Sequence, residues 1–361
     1  ALGEGYRPRP DMWSEYAVVD CERLARELAI PFLDKNASPP VEHRRALLEL
    51  LASNPDELPG AIEQYWRGDA ESIARRVIGV KPNGDADSLL KRNSELLGEL
   101  GHYNCATICY AGEWYWGVDR LHYLTGRLDE LGVACVDGSN ARLASIRQAM
   151  QMDLPFSPPA AAQGLPPLEL FYSFRSPYSQ LCLRRAFDVA DAFGLEVVMR
   201  PVLPMVMRGM AVPTPKLRYI ARDAAREAET LGTRFGDVAD PVGAGVERCH
   251  AVFPYAESEN RGREFLLNAA DLIWGQAVDV ATDKGLRKLT GKTGLFWPDV
   301  LHALERDDWR ETAAENREYM KSLGSWGVPT MCVGDYVVWG QDRLWLLARH
   351  LEELCDTGEG I

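Results

Sequence analysis

The sequence predicts an α/β protein in which one plan, a βαβ unit, a block of helices and a closing ββα unit, is written twice, the first time without its opening. Two alignments of the chain with itself carry this prediction. GSWGVPTMCVGDYVVWGQDRL (residues 324–344) lies on GHYNCATICYAGEWYWGVDRL (101–121) in constant register, so that Gly, Thr, Cys and WG-x-DRL coincide. Upstream, Tyr219, Asp223, Arg226, Ala228, Leu231, Phe235 and Asp237 fall on Tyr16, Asp20, Arg23, Ala25, Leu28, Phe32 and Asp34. The two registers differ because the second copy carries an insertion near residues 243–264.

The elements follow in order. The apolar run LELFYSF starts a strand at Leu168. Pro177 suits a first helical turn, Leu181, Ala186, Val189, Ala190 and Phe193 form an apolar stripe, and Gly194 closes the helix. LEVVMRPVL then supplies a second strand. Helical patterns cover 216–323, strands are expected around 330–333 and 336–338, and a final helix begins at Asp342. The same ending recurs at 107–131. Between the copies, DLPFSPPAAAQGLPP (153–167) has the Pro and Ala content of a semi-rigid linker. The expected division is a degenerate copy over 1–150, a linker over 151–167, and a complete copy bearing the active site over 168–361.

Composition narrows the partners. A chain of 361 residues, 46% hydrophobic and 26% charged, is long enough for two domains. Its net charge of −13 repels phosphate backbones and anionic membrane surfaces, so neither nucleic acid nor a membrane is expected. Apolar runs are far shorter than the roughly 20 residues of a membrane span. The opening ALGEGYRPRP lacks the charged start and apolar core of a secretory signal, and the expected location is cytoplasmic. The eight cysteines form no CxxC pair and read as reduced, mostly buried thiols. Cys105 and Cys109 have only His102 near them, and the six histidines show no ligand spacing, so no metal is expected. No G-x-S-x-G and no phosphate loop occurs.

Three motifs sharpen the plan: SPYS at 176–179, GVPT at 327–330 and WGQDRL at 339–344. Arg200 and Pro201, and the spaced set Pro215, Lys216, Tyr219 and Asp223, accompany them. Together they resemble kappa-class glutathione transferases and 2-hydroxychromene-2-carboxylate isomerases, which share the plan of the thioredoxin-like disulfide oxidoreductases. The resemblance covers nearly all of 168–353 and, more weakly, 8–132. It implies a thioredoxin-like fold with an inserted helical subdomain, present twice, and glutathione as the cofactor.

The resemblance also assigns roles. Ser176 stands where disulfide oxidoreductases carry the first cysteine of CxxC, at a helix start whose free N–H groups favour an anion. There its hydroxyl would donate to the glutathione sulfur; without the resemblance it is an N-cap. Val328, before an expected cis Pro329, would pair its backbone with the cysteinyl part as an added strand does. Asp342, with Gln341 before it, would accept from the γ-glutamyl amine, or simply cap the last helix, as Asp119 would in the first copy. Lys216 matches a lysine that contacts the tripeptide, and is otherwise a surface lysine. Trp326 either walls the pocket or fills the core. Tyr178, Met207 and Met210 are candidates for a second-substrate pocket, although methionines more often fill cores. One departure stands out: the family usually carries TGN before its proline-rich turn, and Met210 occupies the Asn place.

In the first copy Pro329 falls on Ala106, Val328 on Cys105 and Lys216 on Trp13, while Ser176 has no counterpart. Asp119 and Arg120 alone persist, so one active site per chain is expected. A copy without its opening strands leaves a sheet edge to cover. An internal pseudo-dimer or a homodimer would do so, in keeping with the family's dimers. The leading expectation is therefore a glutathione-dependent isomerase or transferase acting on a small electrophilic, aromatic or unsaturated substrate. A non-catalytic binding or scaffold protein of the same fold is the alternative. A disulfide oxidoreductase is disfavoured, because Ser176 and Ser179 occupy both cysteine places.

Overall fold

The computed structural model describes residues 10–29, 41–81, 84–133 and 164–357. The chain separates into two compact units, Ala1–Gly117 and Val118–Ile361. The segment that follows the first WG-x-DRL motif therefore belongs to the second unit. The expected copy boundary at 150 and the linker at 151–167 fall largely outside the described residues.

The first unit contains helices α1 (Pro10–Glu27), α2 (Arg44–Ser53), α3 (Leu58–Trp66), α4 (Ala70–Arg76) and α5 (Asp85–Glu99), then an antiparallel hairpin of β1 (Thr107–Tyr110) and β2 (Glu113–Trp116). Leu47, Ala61 and Ile73, with Leu50, Leu51, Tyr65 and Val77, pack α2, α3 and α4 together. Glu49 is buried among them because its carboxylate does local work at a helix start. It accepts from the Ala86 N–H at 3.0 Å at the start of α5 and from Arg45 at 2.9 Å. The positive end of the helix and the Arg45 charge together favour the buried carboxylate.

The second unit begins with a short 3-10 turn, Val118–Arg120, and α6 (Leu121–Glu130). The α/β core follows: β3 (Leu168–Tyr172), α7 (Pro177–Ala192) and β4 (Val197–Pro201). Next come a 3-10 turn at Met205–Arg208 and six helices, α8 (Thr214–Thr230), α9 (Ala244–Ser258), α10 (Gly262–Gly275), α11 (Asp283–Thr293), α12 (Trp297–Leu304) and α13 (Trp309–Ser322). The chain returns through β5 (Thr330–Val333), β6 (Tyr336–Trp339), a 3-10 turn at Gln341–Arg343 and α14 (Leu344–Thr357). Strand order is β4-β3-β5-β6, with β3 parallel to β4 and the other neighbours antiparallel. Helices interrupt the α/β core between β4 and β5, as the pattern over 216–323 predicted.

Period-two alternation of the strands loads both sheet faces. Phe171 and Cys332 pack with Val202 and with Met320 of α13 on one face. Met331, their neighbour in the pleat, meets the Cys182 sulfur of α7 at 3.3 Å on the other. Gly194, at φ +65°, ends α7 in the left-handed conformation that a side chain would resist. Inside the helical block, Trp274 stacks on Phe235 at 5.8 Å and donates its ring N–H to the Phe174 carbonyl at 3.3 Å. No helix among the described residues is long and apolar enough to cross a membrane.

The two hairpins share their register. Thr107 pairs with Trp116 as Thr330 pairs with Trp339. Each hairpin ends on the same bond, from the Gly117 N–H to the Ala106 carbonyl at 3.0 Å and from the Gly340 N–H to the Pro329 carbonyl at 2.9 Å. In each, a 3-10 turn and a helix follow. Tyr103 faces Trp116 at 6.1 Å, and Trp326, at the aligned position, faces Trp339 at 4.5 Å.

Two predictions follow from the packing. A Cβ at Gly327 would lie 2.5 Å from the Trp339 ring nitrogen, and that indole is held by Trp326. Gly327→Ala is expected to lower unfolding stability by about 1–3 kcal/mol in denaturant titrations. His250 is buried between Phe174 and Trp309, and burial pushes its pKa from 6.5 down to about 4. The unfolded chain thus binds a proton that the folded chain refuses between those values. Stability is expected to fall as pH drops from 6.5 toward 4, by up to about 3 kcal/mol. His250→Gln should flatten that part of the stability–pH curve.

Candidate functional site

At its N-terminus α7 is built around Ser176. The backbone there is extended (φ −102°, ψ 114°), Pro177 occupies the first turn, and the Ser176 hydroxyl accepts from the Ser179 N–H at 3.1 Å. The same hydroxyl lies 3.4 Å from the Val328 carbonyl, to which it donates. Ser176 is half-buried at the positive end of the helix, where the Ser179 N–H is taken by its own hydroxyl and the Gln180 N–H by its carbonyl. Ser179 points inward: it is fully buried, and its hydroxyl receives the Ser173 N–H at 3.4 Å.

The Val328–Pro329 bond is cis. The turn that carries it is pinned from inside by Thr330, whose hydroxyl donates to the Gly327 carbonyl at 2.7 Å and meets the Ser325 hydroxyl at 2.6 Å. Val328 is half-buried against the cluster of Phe171, Val202, Met320 and Cys332. Trp326 is buried. Ala106, at the position aligned with Pro329, takes φ +56°, and among the described residues Val328–Pro329 is the one cis bond.

A second group of side chains surrounds Arg120. Its guanidinium is buried and grips Asp223 through two bonds, at 2.8 and 2.6 Å. It also donates to Asp342 at 3.0 Å and lies 3.4 Å from Glu227. Arg226 adds a bond to Asp223 at 2.6 Å, and the Tyr178 hydroxyl donates to the other Asp223 oxygen at 2.8 Å. The Gln341 amide donates to Glu227 at 2.6 Å and also to Asp342, while its oxygen accepts from Arg185 of α7 at 2.8 Å. Reciprocally, Arg343 donates to Asp119 at 2.5 Å.

Electrostatics divides these carboxylates. Burial pulls Asp223 up, but Arg120 and Arg226 outweigh it and hold the group down at about 2. Burial likewise raises Glu227 and Asp342, and there it prevails over Arg120 because the neighbouring carboxylates, Asp223 among them, add to it. Arg120 loses by burial but is held well above its ordinary value by Asp223, Asp342 and Glu227. Burial, with the Asp223 charge behind it, drives the Tyr178 phenol well up.

The structure thus brings Ser176, Val328, Pro329 and Trp326 to one turn, and Gln341 and Asp342 to the Arg120 cluster. Helix α7 joins the two groups, with Ser176 and Tyr178 at its start and Arg185 farther along. Lys216 is half-buried in the first turn of α8, and burial lowers its pKa to about 8. Tyr178 has its hydroxyl committed to Asp223. Met207 lies in the Met205–Arg208 turn and Met210 just after it, both half-buried, with the Met210 N–H donating to the Met205 carbonyl at 3.1 Å. Sequence reasoning left Arg120 and Glu227 without a role and used Asp223 only as a motif match. One signal for Arg120 was present: in the alignment of the chain with itself, Asp119 and Arg120 match Asp342 and Arg343 where Val328, Pro329 and Lys216 find no match.

Residues 167–352 match the family described as DSBA-like thioredoxin domain. The 2-hydroxychromene-2-carboxylate isomerase of Pseudomonas putida is 24% identical over 196 residues, covering 52% of this chain and 95% of its own length. That of Sphingobium xenophagum is 23% identical over 192 residues, covering 51% and 97%. Among solved structures, a 2-hydroxychromene-2-carboxylate isomerase superposes with a TM-score of 0.46 at 24% identity, covering 53% of this chain and 97% of that one. The cytosolic disulfide reductase DsbM from Pseudomonas aeruginosa with GSH superposes with a TM-score of 0.41 at 19% identity, covering 53% and 98%.

Removing the cation at the centre of this cluster tests its weight. Arg120→Met leaves Asp223 buried beside Glu227 and Asp342 with Arg226 alone to answer it, and is expected to cost about 3–5 kcal/mol at pH 7.5. The buried carboxylates of the variant then hold their protons more tightly than the unfolded chain does. The deficit against wild type should therefore shrink as pH falls to 5, measured by denaturant unfolding at both values.

Proposed function

We propose that this chain, which belongs to the DSBA-like thioredoxin domain family, is a glutathione-dependent isomerase or transferase of the 2-hydroxychromene-2-carboxylate isomerase type. The observation that carries the proposal is the Ser176 hydroxyl. It sits at a helix N-terminus, 3.4 Å from the carbonyl that precedes cis Pro329, in a half-buried residue. A serine there has the helix dipole behind it and cannot form a disulfide; its one proton, now on the Val328 carbonyl, would turn to a bound sulfur and hold it as the anion.

The surrounding donor set fits a γ-glutamyl tripeptide. Ser176 would hold the sulfur and the Val328 backbone the cysteinyl unit. Asp342 would take the γ-glutamyl ammonium, with Arg120 holding Asp342 in place from within, and Lys216 a carboxylate at the far end. Glutathione, when bound, supplies a thiol that adds to an unsaturated carbon and, in an isomerase, leaves again after rotation about the former double bond. Ser176 keeps that sulfur ionised and aimed. The buried Trp326 and Pro329 exclude water from its inner side, and the Met205–Arg208 turn offers apolar surface for an aromatic or unsaturated substrate.

The shared hairpin register and the reciprocal pairs Asp342–Arg120 and Asp119–Arg343 support a tandem duplication. In this proposal the two WG-x-DRL segments meet as an internal pseudo-dimer, with one working site per chain. A cytoplasmic setting, rich in glutathione, is part of the same proposal.

Calorimetric titration of glutathione into the full chain is expected to give one site. Ser176→Ala should retain the fold, weaken binding and lower turnover of aromatic unsaturated acids on the order of 10²-fold. Absence of binding at millimolar glutathione would overturn the assignment and favour a binding or scaffold role.

A further inference from the structure

The start of α7 has few donors left for an anion. Pro177 has no N–H, the Ser179 N–H goes to the Ser176 hydroxyl, and the Gln180 N–H goes to the Ser176 carbonyl. The Ser176 proton itself rests on the Val328 carbonyl. A sulfur held there as the anion therefore needs a positive charge beyond the helix end.

One stands on the preceding residue. Arg175 grips Asp240 side-on, from Nε to one carboxylate oxygen and from Nη2 to the other, both at 2.7 Å. The third nitrogen, Nη1, makes no hydrogen bond and is not buried, so its two N–H groups face solvent. In a side-on pair Nη1 is the nitrogen farthest from the carboxylate, and the outer end of the guanidinium keeps an unanswered positive edge.

Both members of the pair are tied down. The turn that carries Arg175 is closed by the Ser176 N–H on the Ser173 carbonyl at 3.0 Å, and Trp274 holds the Phe174 carbonyl within it at 3.3 Å. The Asp240 carboxylate accepts the Val242 N–H at 3.1 Å. On either side of Asp240, the Ala239 N–H reaches the Ile273 carbonyl at 3.0 Å and the Pro241 carbonyl takes the Val246 N–H at 2.7 Å. Burial raises the Asp240 carboxyl, but Arg175 and the Val242 N–H outweigh it and keep the group below its ordinary value. A fixed cation, half answered by a fixed anion, thus stands one residue from Ser176.

We propose that Arg175 adds the positive charge that holds a sulfur anion at the start of α7, and that Asp240 sets how much of that charge the sulfur feels. Both are positioning residues, acting by their charges on a sulfur that Ser176 touches. The proposal rests on the glutathione reading and deepens it. As glutathione binds, its thiol proton leaves to buffer and the S–H electron pair stays on sulfur; Ser176 donates to that sulfur and Arg175 offsets its charge.

The test saturates full-length wild type, Arg175→Gln, Asp240→Asn and Arg175→Lys with glutathione at neutral pH. The bound thiolate is read from its ultraviolet absorbance, with S-methylglutathione as the blank and unfolding midpoints recorded alongside. The thiolate-to-thiol ratio is expected to fall about two- to fivefold in Arg175→Gln and to rise by a similar factor in Asp240→Asn. Arg175→Lys keeps the charge and should stay within about twofold of wild type. Opposite shifts are the signature of charge, because loss of the pair as a structural tie is common to both neutral variants and would move both the same way. Any other pattern, including a fall in Arg175→Lys to the Arg175→Gln ratio, overturns the inference and leaves the glutathione reading standing. Failure of wild type to bind glutathione overturns both.

Discussion

A single buried guanidinium organises the second unit. Arg120 is contributed by a short turn before α6, yet its partners come from α8 (Asp223 and Glu227) and from the turn after β6 (Asp342). A charge this deep is tolerated only when its donors are all used, and the use of Arg120 dictates where these three segments sit. Its planar fork suits the bidentate grip on Asp223, and the remaining amine of the fork reaches Asp342. The unit that carries the site therefore begins at Val118 rather than at β3, because the domain core lacks this cation without the preceding segment.

The same constraint couples two regions that look separate in the chain. The first turn of α7 carries Ser176 toward the Val328 carbonyl, and two residues later it carries Tyr178 to Asp223. Farther along, Arg185 of α7 holds Gln341. The helix whose N-terminus carries Ser176 is thereby fixed to the carboxylate cluster. The sheet contributes rigidity: the pinned turn of Gly327 and Thr330 and the tilted contact of Trp326 with Trp339 hold the carbonyl opposite Ser176 in place.

Much of this was legible in the residues themselves. Pro177 after Ser176 and Gly194 at the far end bound α7, the β3 and β5 runs are apolar enough to name as buried strands, and the Asp and Arg of both WG-x-DRL segments marked the polar positions. These features are local: capping, φ preference and apolar periodicity act within a turn or two, and they are written wherever the chain needs them. Even the matching hairpin registers follow from local pairing.

What only the tertiary structure decided is who answers whose charge. Tyr178 reads as a pocket residue by proximity to Ser176, but its hydroxyl is spent on Asp223. Glu227 shows nothing but a helical glutamate in sequence, and Arg120 nothing but the repeat of a motif. Their roles arise because burial removes water as a competitor and leaves each carboxylate dependent on the few donors within about 3 Å. Periodicity and motif spacing are properties of neighbours along the chain. Electrostatic pairing at the core belongs to residues more than a hundred positions apart, and their meeting is decided by packing.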